Sequence, residues 1–537
     1  MASNISSARL KASKIGLYYR TLRHLRLIQI ANRITRRFVP RTARLKAVPT
    51  ERKPAGNLVN FIPKINSKKS GDLFRFLNEE RVIATQGDWN DRRTPKLWLY
   101  NLHYHEWLSC SNAPDKEKRT LVRRWIAENR PPVGAGWEPY PLSLRIVNWI
   151  KWLLEGNEPV ENMIESLTVQ VDWLMRQVEY HLLGNHLFAN AKGLVIAGCF
   201  FDGELGQEWF RRGFSILERE VSEQFLADGG HFELSTTYHA TLTEDLLDVI
   251  NILRSYDLPV PSAWEKTARA AINWQRTMTR PDGLPPLFND AAYGVSPDFS
   301  QIRNYAGRLG LWPANDLKSG LSDLPESGYF RFEGEDYSFL GDAGQIGPDY
   351  IPGHAHCDMM NFELFAKGRP IIVDVGTSTY EVGARRHFER STRAHNTVQV
   401  GSLEQSEIWA AFRVGRRARI TERLVSASNV TATYKGFDRG MQHRRQFAFG
   451  PNECTLRDFL SGDDENEAFV ARFHLHPEVT VVLKGTELDA GPINMKFTGA
   501  KKIVLTPYKY APEFNKLMPA TCIEVTFDRQ LETNISI

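Results

Sequence analysis

Residues 353–365, GHAHCDMMNFELF, place His354, His356 and Asp358 at alternate positions ahead of a run dominated by apolar residues. Imidazoles and a carboxylate at that spacing can bind a metal ion or move protons. An HxH pair alone says little. Fourteen histidines in 537 residues yield about 0.4 such pairs by chance, and three occur, the others being His103/His105 and His474/His476. Read as a strand, the stretch puts His354, His356 and Asp358 on one face, because side chains alternate with period two. Downstream, Asp374 closes the apolar strand of RPIIVDVGTSTY, and His395 opens another in RSTRAHNTVQV. A histidine, an aspartate and a histidine on three neighbouring strands could converge as N, O and N ligands on Zn²⁺. The plainer alternative has Asp374 capping a turn and His395 satisfying backbone groups at a strand end.

Further candidates lie upstream. YHLLGNHLFANAKGL carries Asn185 and His186 at an expected helix start, where an asparagine also serves as an ordinary N-cap. DGGHFELSTTYHATLTEDLLDV holds His231, Glu233, Tyr238 and His239 between a Gly-rich loop and a helix. A phenol beside a base at a helix entrance can pass a proton, or can simply be packing. WEPYPLSLRIVNWI interleaves Trp137, Tyr140, Arg145 and Trp149, the mix that lines sugar-binding clefts. Aromatic core is the competing reading there, and the better one for Trp149.

These residues need elements to position them. From about 100 to 320 the periodicity is helical. Leu142, Ile146, Trp149, Ile150 and Leu153 trace one face, and Val171, Leu174 and Val178 belong to a second helix. Further helices are expected at 186–201, 207–226, 240–256 and 262–279. Short Gly-, Pro- or Asp-rich links imply antiparallel neighbours. With no strict repeat, a closed helical barrel is favoured over a solenoid. After about 325, short β-rich runs such as YFRFEG, YSFLGD, NFELFA, VTATYKG and RRQFAFG predict an antiparallel sandwich. The expected units are a basic leader (1–60), a helical domain (61–322) and a β-sandwich (323–537), with the switch at SGLSDLPESG.

Charge is unevenly placed. Residues 1–53 hold fourteen Lys/Arg and one acid, a balance of +13; with +5 overall, the remainder carries about −8. Within the leader, Ile15, Tyr18, Leu22, Leu25 and Ile28 fall near helical spacing with arginines between them. That pattern suits a surface helix meeting anionic lipid or another polyanion, or a solvated basic arm. Five scattered cysteines without a CxxC exclude a disulfide framework and a cysteine zinc site. The longest apolar run, 193–201, is far short of a bilayer span, and no apolar segment follows the N-terminal charges as a secretory signal would. A protein inside the cell or at the cytoplasmic membrane face is therefore expected, with no nucleic-acid partner.

The order GNH, then SxxYH, then GHxHxD, a strand-end Asp and AHNTV resembles the heparinase II/III-like family of polysaccharide lyases. The resemblance covers about 100–420 and is most marked at PGHAHCDMMNFELFAKGRPIIVDVGTSTY and RSTRAHNTVQV. YNLHYHEWL (100–108) looks like the variant found among proteins of bacterial surface-polysaccharide loci. The family implies an N-terminal (α/α) toroid, an incomplete helical barrel, followed by an antiparallel β-sandwich, with the active site between them. It implies β-elimination on an acidic, uronate-containing polysaccharide. By resemblance Asn185 meets the uronate carboxylate with His186 in support, Tyr238 is the acid and a possible base, and His354 is the other proton-transfer group. His356, Asp374 and His395 go to a structural Zn²⁺, leaving Asp358 as its outer partner or a strand-face residue. Trp137, Tyr140, Arg145, Glu233, His239 and Arg393 are candidate substrate contacts. An ordinary Tyr, with a pKa near 10, needs cations to act as a base; Arg145, Arg385 and Arg393 are the candidates. Two other classes compete. One is a non-catalytic glycan-binding or assembly factor for surface-polysaccharide synthesis. The other is a glycoside hydrolase, which would need paired carboxylates such as Glu233 and Asp290. The oligomeric state is not legible.

Overall fold

In the computed structural model, which describes residues 14–38, 47–313, 319–436, 440–462 and 468–537, the helical spacing of the first half becomes helices. The leader forms α1 (14–22) and α2 (Leu27–Thr35), while 1–13 and 39–46 lie outside the described residues. A hairpin follows, β1 (Leu73–Phe76) and β2 (Glu79–Val82), so the first half is not purely helical. Then come α3 (Lys96–Tyr104), α4 (Asp115–Glu128), α5 (Pro139–Leu154), α6 (Met163–Gln177), α7 (Gly184–Phe200) and α8 (Gly203–Gln224). The half ends with α9 (Thr236–Ser255), α10 (Ser262–Thr277) and α11 (Phe299–Arg308).

Pro139 opens α5, where its missing N–H has no intrahelical partner to lose. Leu142, Ile146, Trp149 and Ile150 supply the buried face of that helix. In α7 every residue except His186 is buried. α8 approaches it through glycines. A Cβ at Gly198 would stand 2.5 Å from the Phe210 backbone nitrogen, and one at Gly213 would stand 2.8 Å from the Ala191 carbonyl oxygen. A helix apolar on every side needs neighbours on every side, and α7 has α5, α6, α8 and α9 around it. Among the described residues the helices pack about this pillar without closing into the barrel that periodicity favoured.

The β-half begins with a five-stranded antiparallel sheet in chain order: β3 (Gly320–Leu324), β4 (Tyr329–Glu333), β5 (Tyr337–Asp342), β6 (Phe362–Ala366) and β7 (Arg369–Ile372). Helix α12 (Ala384–Arg390), strand β8 (Val398–Val400) and a small hairpin, β9 (Ile408–Trp409) with β10 (Arg413–Val414), connect it to the second sheet. That sheet comprises β11 (Arg419–Val425), β12 (Asn429–Lys435), β13 (Gln442–Phe449), β14 (Glu453–Ser461), β15 (Phe469–His474), β16 (Val482–Lys484), β17 (Glu487–Asp489), β18 (Asn494–Glu513) and β19 (Lys516–Ser536). Its order is β11-β12-β13-β14-β19-β18-β17-β16, with β15 bridging β19 and β8. Phe330, Phe339 and Phe362 of the first sheet and Phe447, Leu456 and Ile523 of the second share one core, which makes the pair a sandwich.

The halves are packed, not merely tethered. Trp274, Met278 and Phe288 share an apolar cluster with Tyr329, Leu340 and Phe365. Asp228 accepts hydrogen bonds from the Ser327 backbone N–H at 2.7 Å and from its hydroxyl at 2.8 Å. Two hairpin tips also meet, Asn515 Nδ2 donating to the Leu77 carbonyl at 2.9 Å and Asn78 Nδ2 to that of Phe514 at 3.0 Å.

Candidate active site

The stretch 353–361 is not a strand; pairing begins only at Phe362 in β6. Its backbone is stitched to residues 289–290 instead. Asp290 N donates to the His354 carbonyl at 3.1 Å, His356 N to Asn289 Oδ1 at 3.0 Å, and Asn289 N to the Asp358 carboxylate at 3.1 Å. His354 and His356 still face one way, because one carboxylate gathers both. Asp290 Oδ2 lies 3.0 Å from His354 Nδ1, and Oδ1 lies 2.8 Å from His356 Nε2. The Arg386 guanidinium grips both oxygens, with Nη2 at 2.7 Å from Oδ2. Asp290, His356 and Arg386 are all buried. Burial alone would raise the Asp290 pKa. Arg386 and the two imidazoles override it and hold the carboxyl well below the usual range.

On its other side, His354 Nε2 lies 3.3 Å from Glu233 Oε2. Glu233 also accepts from the Asn185 backbone at 3.0 Å and from Asn185 Nδ2 at 3.1 and 3.2 Å. Because α7 starts at Gly184, Asn185 sits within its first turn and is not the N-cap. Gly184, at φ +54°, admits Glu233: a Cβ there would stand 2.5 Å from Glu233 Oε1. His186 lies with Nδ1 3.1 Å from Glu179 Oε2 and its ring against Tyr140, centroids 4.5 Å apart. Burial would lower the His186 pKa, but Glu179 overcomes this and raises it.

Tyr238 stands in the first turn of α9, which Ser235 caps by accepting from the Tyr238 N–H. Its ring stacks on His354 with centroids 3.8 Å apart and planes at 28°. Its hydroxyl lies 3.4 Å from that of Tyr380. Burial, then Tyr380 and Tyr140, push the phenol well above its ordinary pKa. Asn185, Tyr238 and Glu233 of the helical half thus converge on His354 and Tyr380 of the β-half.

Beneath His354, Asp374 and His395 form a buried pair, Oδ2 to Nδ1 at 2.7 Å, and the His356 and His395 rings have centroids 5.3 Å apart. Neither Asp374 nor His395 lies on a strand: β7 ends at Ile372, and His395 follows a short 3₁₀ turn ahead of β8. As they stand, no three His, Cys, Asp or Glu side chains among the described residues are gathered as a metal cage. The donor set nevertheless fits one. His356 Nδ1 and His395 Nε2 are buried without a hydrogen-bond partner, the state in which imidazole nitrogens accept a metal. Burial pushes the His356 pKa down to about 4, keeping the ring neutral. Asp358 accepts the Asn289 N–H and lies outside this pair.

Several expected contacts lie elsewhere. Arg145 is fully buried within the helical half, Nε donating to Gln170 at 2.9 Å and Nη1 to the His103 carbonyl at 3.1 Å, with its guanidinium 3.9 Å above the Trp125 ring centroid. Trp137 and Trp149 join that aromatic core, not the cleft. His239 turns away from Tyr238: its ring lies against Trp274 at 4.2 Å, with Nε2 3.0 Å from the Ala271 carbonyl. Arg393 lies over Phe388, and Arg385 bonds Glu389 and the Lys509 carbonyl, so neither meets the Tyr238 phenol. The His103/His105 pair is core as well, Trp125 and Trp149 donating to His103 Nδ1 at 3.0 Å and His105 Nδ1 at 2.9 Å. What sequence reasoning missed is Arg386, together with Tyr380. A signal existed: Arg386 and Arg390, four apart, form the buried face of α12, whereas Arg385 and Arg393 do not.

Comparison with known proteins finds matches to both halves of the chain. The family model "Heparinase II/III N-terminus" matches residues 157–318, and "Heparinase II/III-like, C-terminal" matches 316–537. A heparin-sulfate lyase of Bacteroides stercoris is 29% identical over 255 residues, covering 42% of this chain and 37% of the relative. One of Pedobacter heparinus is 27% identical over 346 residues, covering 56% and 51%. The chain thus matches about half or less of the length of these relatives. The crystal structure of heparinase III superposes with a TM-score of 0.66 at 19% identity, covering 89% of this chain and 82% of that one, and so shares the fold. With both halves matched in order and the motif residues drawn together around His354, the chain belongs to the heparinase II/III-like family.

Proposed function

We propose that this chain is a lyase that cleaves an acidic, uronate-containing polysaccharide by β-elimination. The stack of Tyr238 on His354, with the Asn185 amide alongside, carries this reading. Elimination needs a donor to the uronate carboxylate, a base for the C5 proton and an acid for the leaving oxygen. Asn185 Nδ2 is the donor. His354, its Nδ1–H held by Asp290, takes the C5 proton on Nε2. The C5–H electrons form the C4–C5 double bond as the C4–O bond breaks, and the leaving oxygen takes the Tyr238 phenol proton. The raised phenol pKa favours the acid role over the base role, and Arg145, Arg385 and Arg393, the cations a base role called for, are engaged elsewhere. The imidazolium and phenolate left behind are reset by proton exchange with water before the next turnover. Asp290 is poorly suited to a hydrolase's general acid, because Arg386 and two imidazoles keep it ionised.

Zinc, held by His356, Asp374 and His395, would pin three connecting segments and, through His356 and Asp290, fix the orientation of His354. Metal analysis of the purified protein is expected to find stoichiometric zinc that His356→Ala and Asp374→Ala lose. A metal-free wild type would refute the site.

Two relatives carry the name heparin-sulfate lyase, so heparan-type chains head the panel of uronate polysaccharides to be screened. The expected result is release of unsaturated ends absorbing in the ultraviolet from at least one of them. Tight binding without cleavage across the panel would favour a binding or assembly factor, and saturated ends a hydrolase.

A further inference from the structure

The two leader helices are mounted inside out. In α2 the polar side faces the protein. Gln29 Nε2 donates to the Leu182 and Tyr350 carbonyls at 3.4 and 3.3 Å, Asn32 Oδ1 accepts from His181 N at 3.1 Å, and Arg33 reaches the His181 carbonyl at 3.4 Å. Arg26, at its start, pairs with Glu223 and lies 3.7 Å above the Tyr350 ring. The apolar side faces out: Leu27, Ile30 and Ile34, spaced three and four apart on one face, are 84%, 43% and 55% exposed. Phe38, just beyond, is 80% exposed. α1 repeats the pattern. Arg20 pairs with Glu407 and Thr21 accepts from Trp409 Nε1 at 3.1 Å, while Ile15, Tyr19 and Leu22, again on one face, are exposed. A surface helix ordinarily buries its apolar stripe and shows its charges to water. Here the charges hold the helix down and the stripe is left uncovered.

We infer that this stripe binds the surface of an anionic lipid bilayer. Charge selects that occupant. The leader segment 1–53 carries +13 against about −8 for the rest, and Lys14, Arg23 and Arg37 are exposed beside the apolar residues. An interfacial helix needs that combination of an apolar face and flanking cations. A second copy of this chain would also cover the stripe, but it would bring two strongly basic leaders face to face. Among the described residues no helix is long and apolar enough to cross a membrane, so the contact is peripheral. The leader is bonded to segments that run directly into the site. His181 and Leu182 precede Asn185, Tyr350 precedes His354, and the β9–β10 hairpin carries Phe412, whose ring lies 6.1 Å from that of His354. Docking by this stripe therefore holds the cleft at the lipid surface, where the glycan met is one attached to or emerging from that surface.

Co-sedimentation of the full chain with vesicles tests this independently of any lyase activity. Wild type is expected to pellet with vesicles of phosphatidylcholine and phosphatidylglycerol, and less so at high salt. Leu27→Glu, Ile30→Glu and Ile34→Glu, all at solvent-facing positions, should each lower the partition coefficient on the order of tenfold. The combined variant should stay in the supernatant with its unfolding midpoint unchanged. The inference is overturned if wild type fails to pellet with anionic vesicles, or if the triple variant pellets equally. It is also overturned if wild type is a vesicle-free dimer that the triple variant dissolves.

Discussion

Tyr238→Phe should lower kcat by about 10²- to 10⁴-fold, the usual contribution of a positioned general acid, and leave the unfolding midpoint in place. The phenyl ring keeps its place against His354, where the tyrosine ring now stacks at 3.8 Å. The hydroxyl gives up one long contact, 3.4 Å to Tyr380. The leaving oxygen, however, loses its proton source. The pH profile adds a second test. An acid must be protonated to act, and a raised pKa widens its protonated range upward. With Tyr238 held well above its ordinary value, kcat/KM should show no alkaline fall from this group until beyond about pH 10. Unsaturated-end release by Tyr238→Phe at near wild-type rate would sink the assignment. A rise in activity between neutrality and pH 9 that Tyr238→Phe abolishes would point instead to Tyr238 working as a phenolate base.

Local periodicity told most of the fold. Helices α5, α7 and α9 follow from apolar spacing and bounded loops, and the change of texture near 320 marks where strands begin. The same local reading failed at 353–361, where the period-two placing of His354 and His356 imitates a strand. That spacing serves a different end, since both imidazoles reach the two oxygens of Asp290, a residue more than sixty positions upstream. A contact of that range leaves no trace in a short window of sequence. Arg145 failed for another reason. An arginine among tryptophans describes a sugar cleft and a buried cation–π contact equally well, and only its burial over Trp125 separates them. The leader's amphipathicity was legible, but not which face would turn outward. That depended on partners such as His181, Tyr350 and Glu407, far along the chain.

Asp290→Asn should be the most damaging single change outside the Tyr238–His354 stack, because it strikes stability and catalysis together. Arg386 is buried with its guanidinium on both Asp290 oxygens. Removing the carboxylate charge leaves a buried cation uncompensated, a loss of about 3–5 kcal/mol, to be read as a lowered denaturant midpoint. His354 also loses the carboxylate that holds its Nδ1–H, because an amide can present its own N–H there, so Nε2 is no longer reliably the basic nitrogen. We expect kcat to fall on the order of a hundredfold or more. Pairing the change with Arg386→Met separates the two effects, since an apolar side chain in place of the stranded cation should recover much of the lost midpoint. Activity should stay low, because no carboxylate in the double variant fixes the His354 tautomer. If activity returned along with stability, Asp290 would be a folding residue alone, and the reading of His354 as a base held by its carboxylate would have to be abandoned.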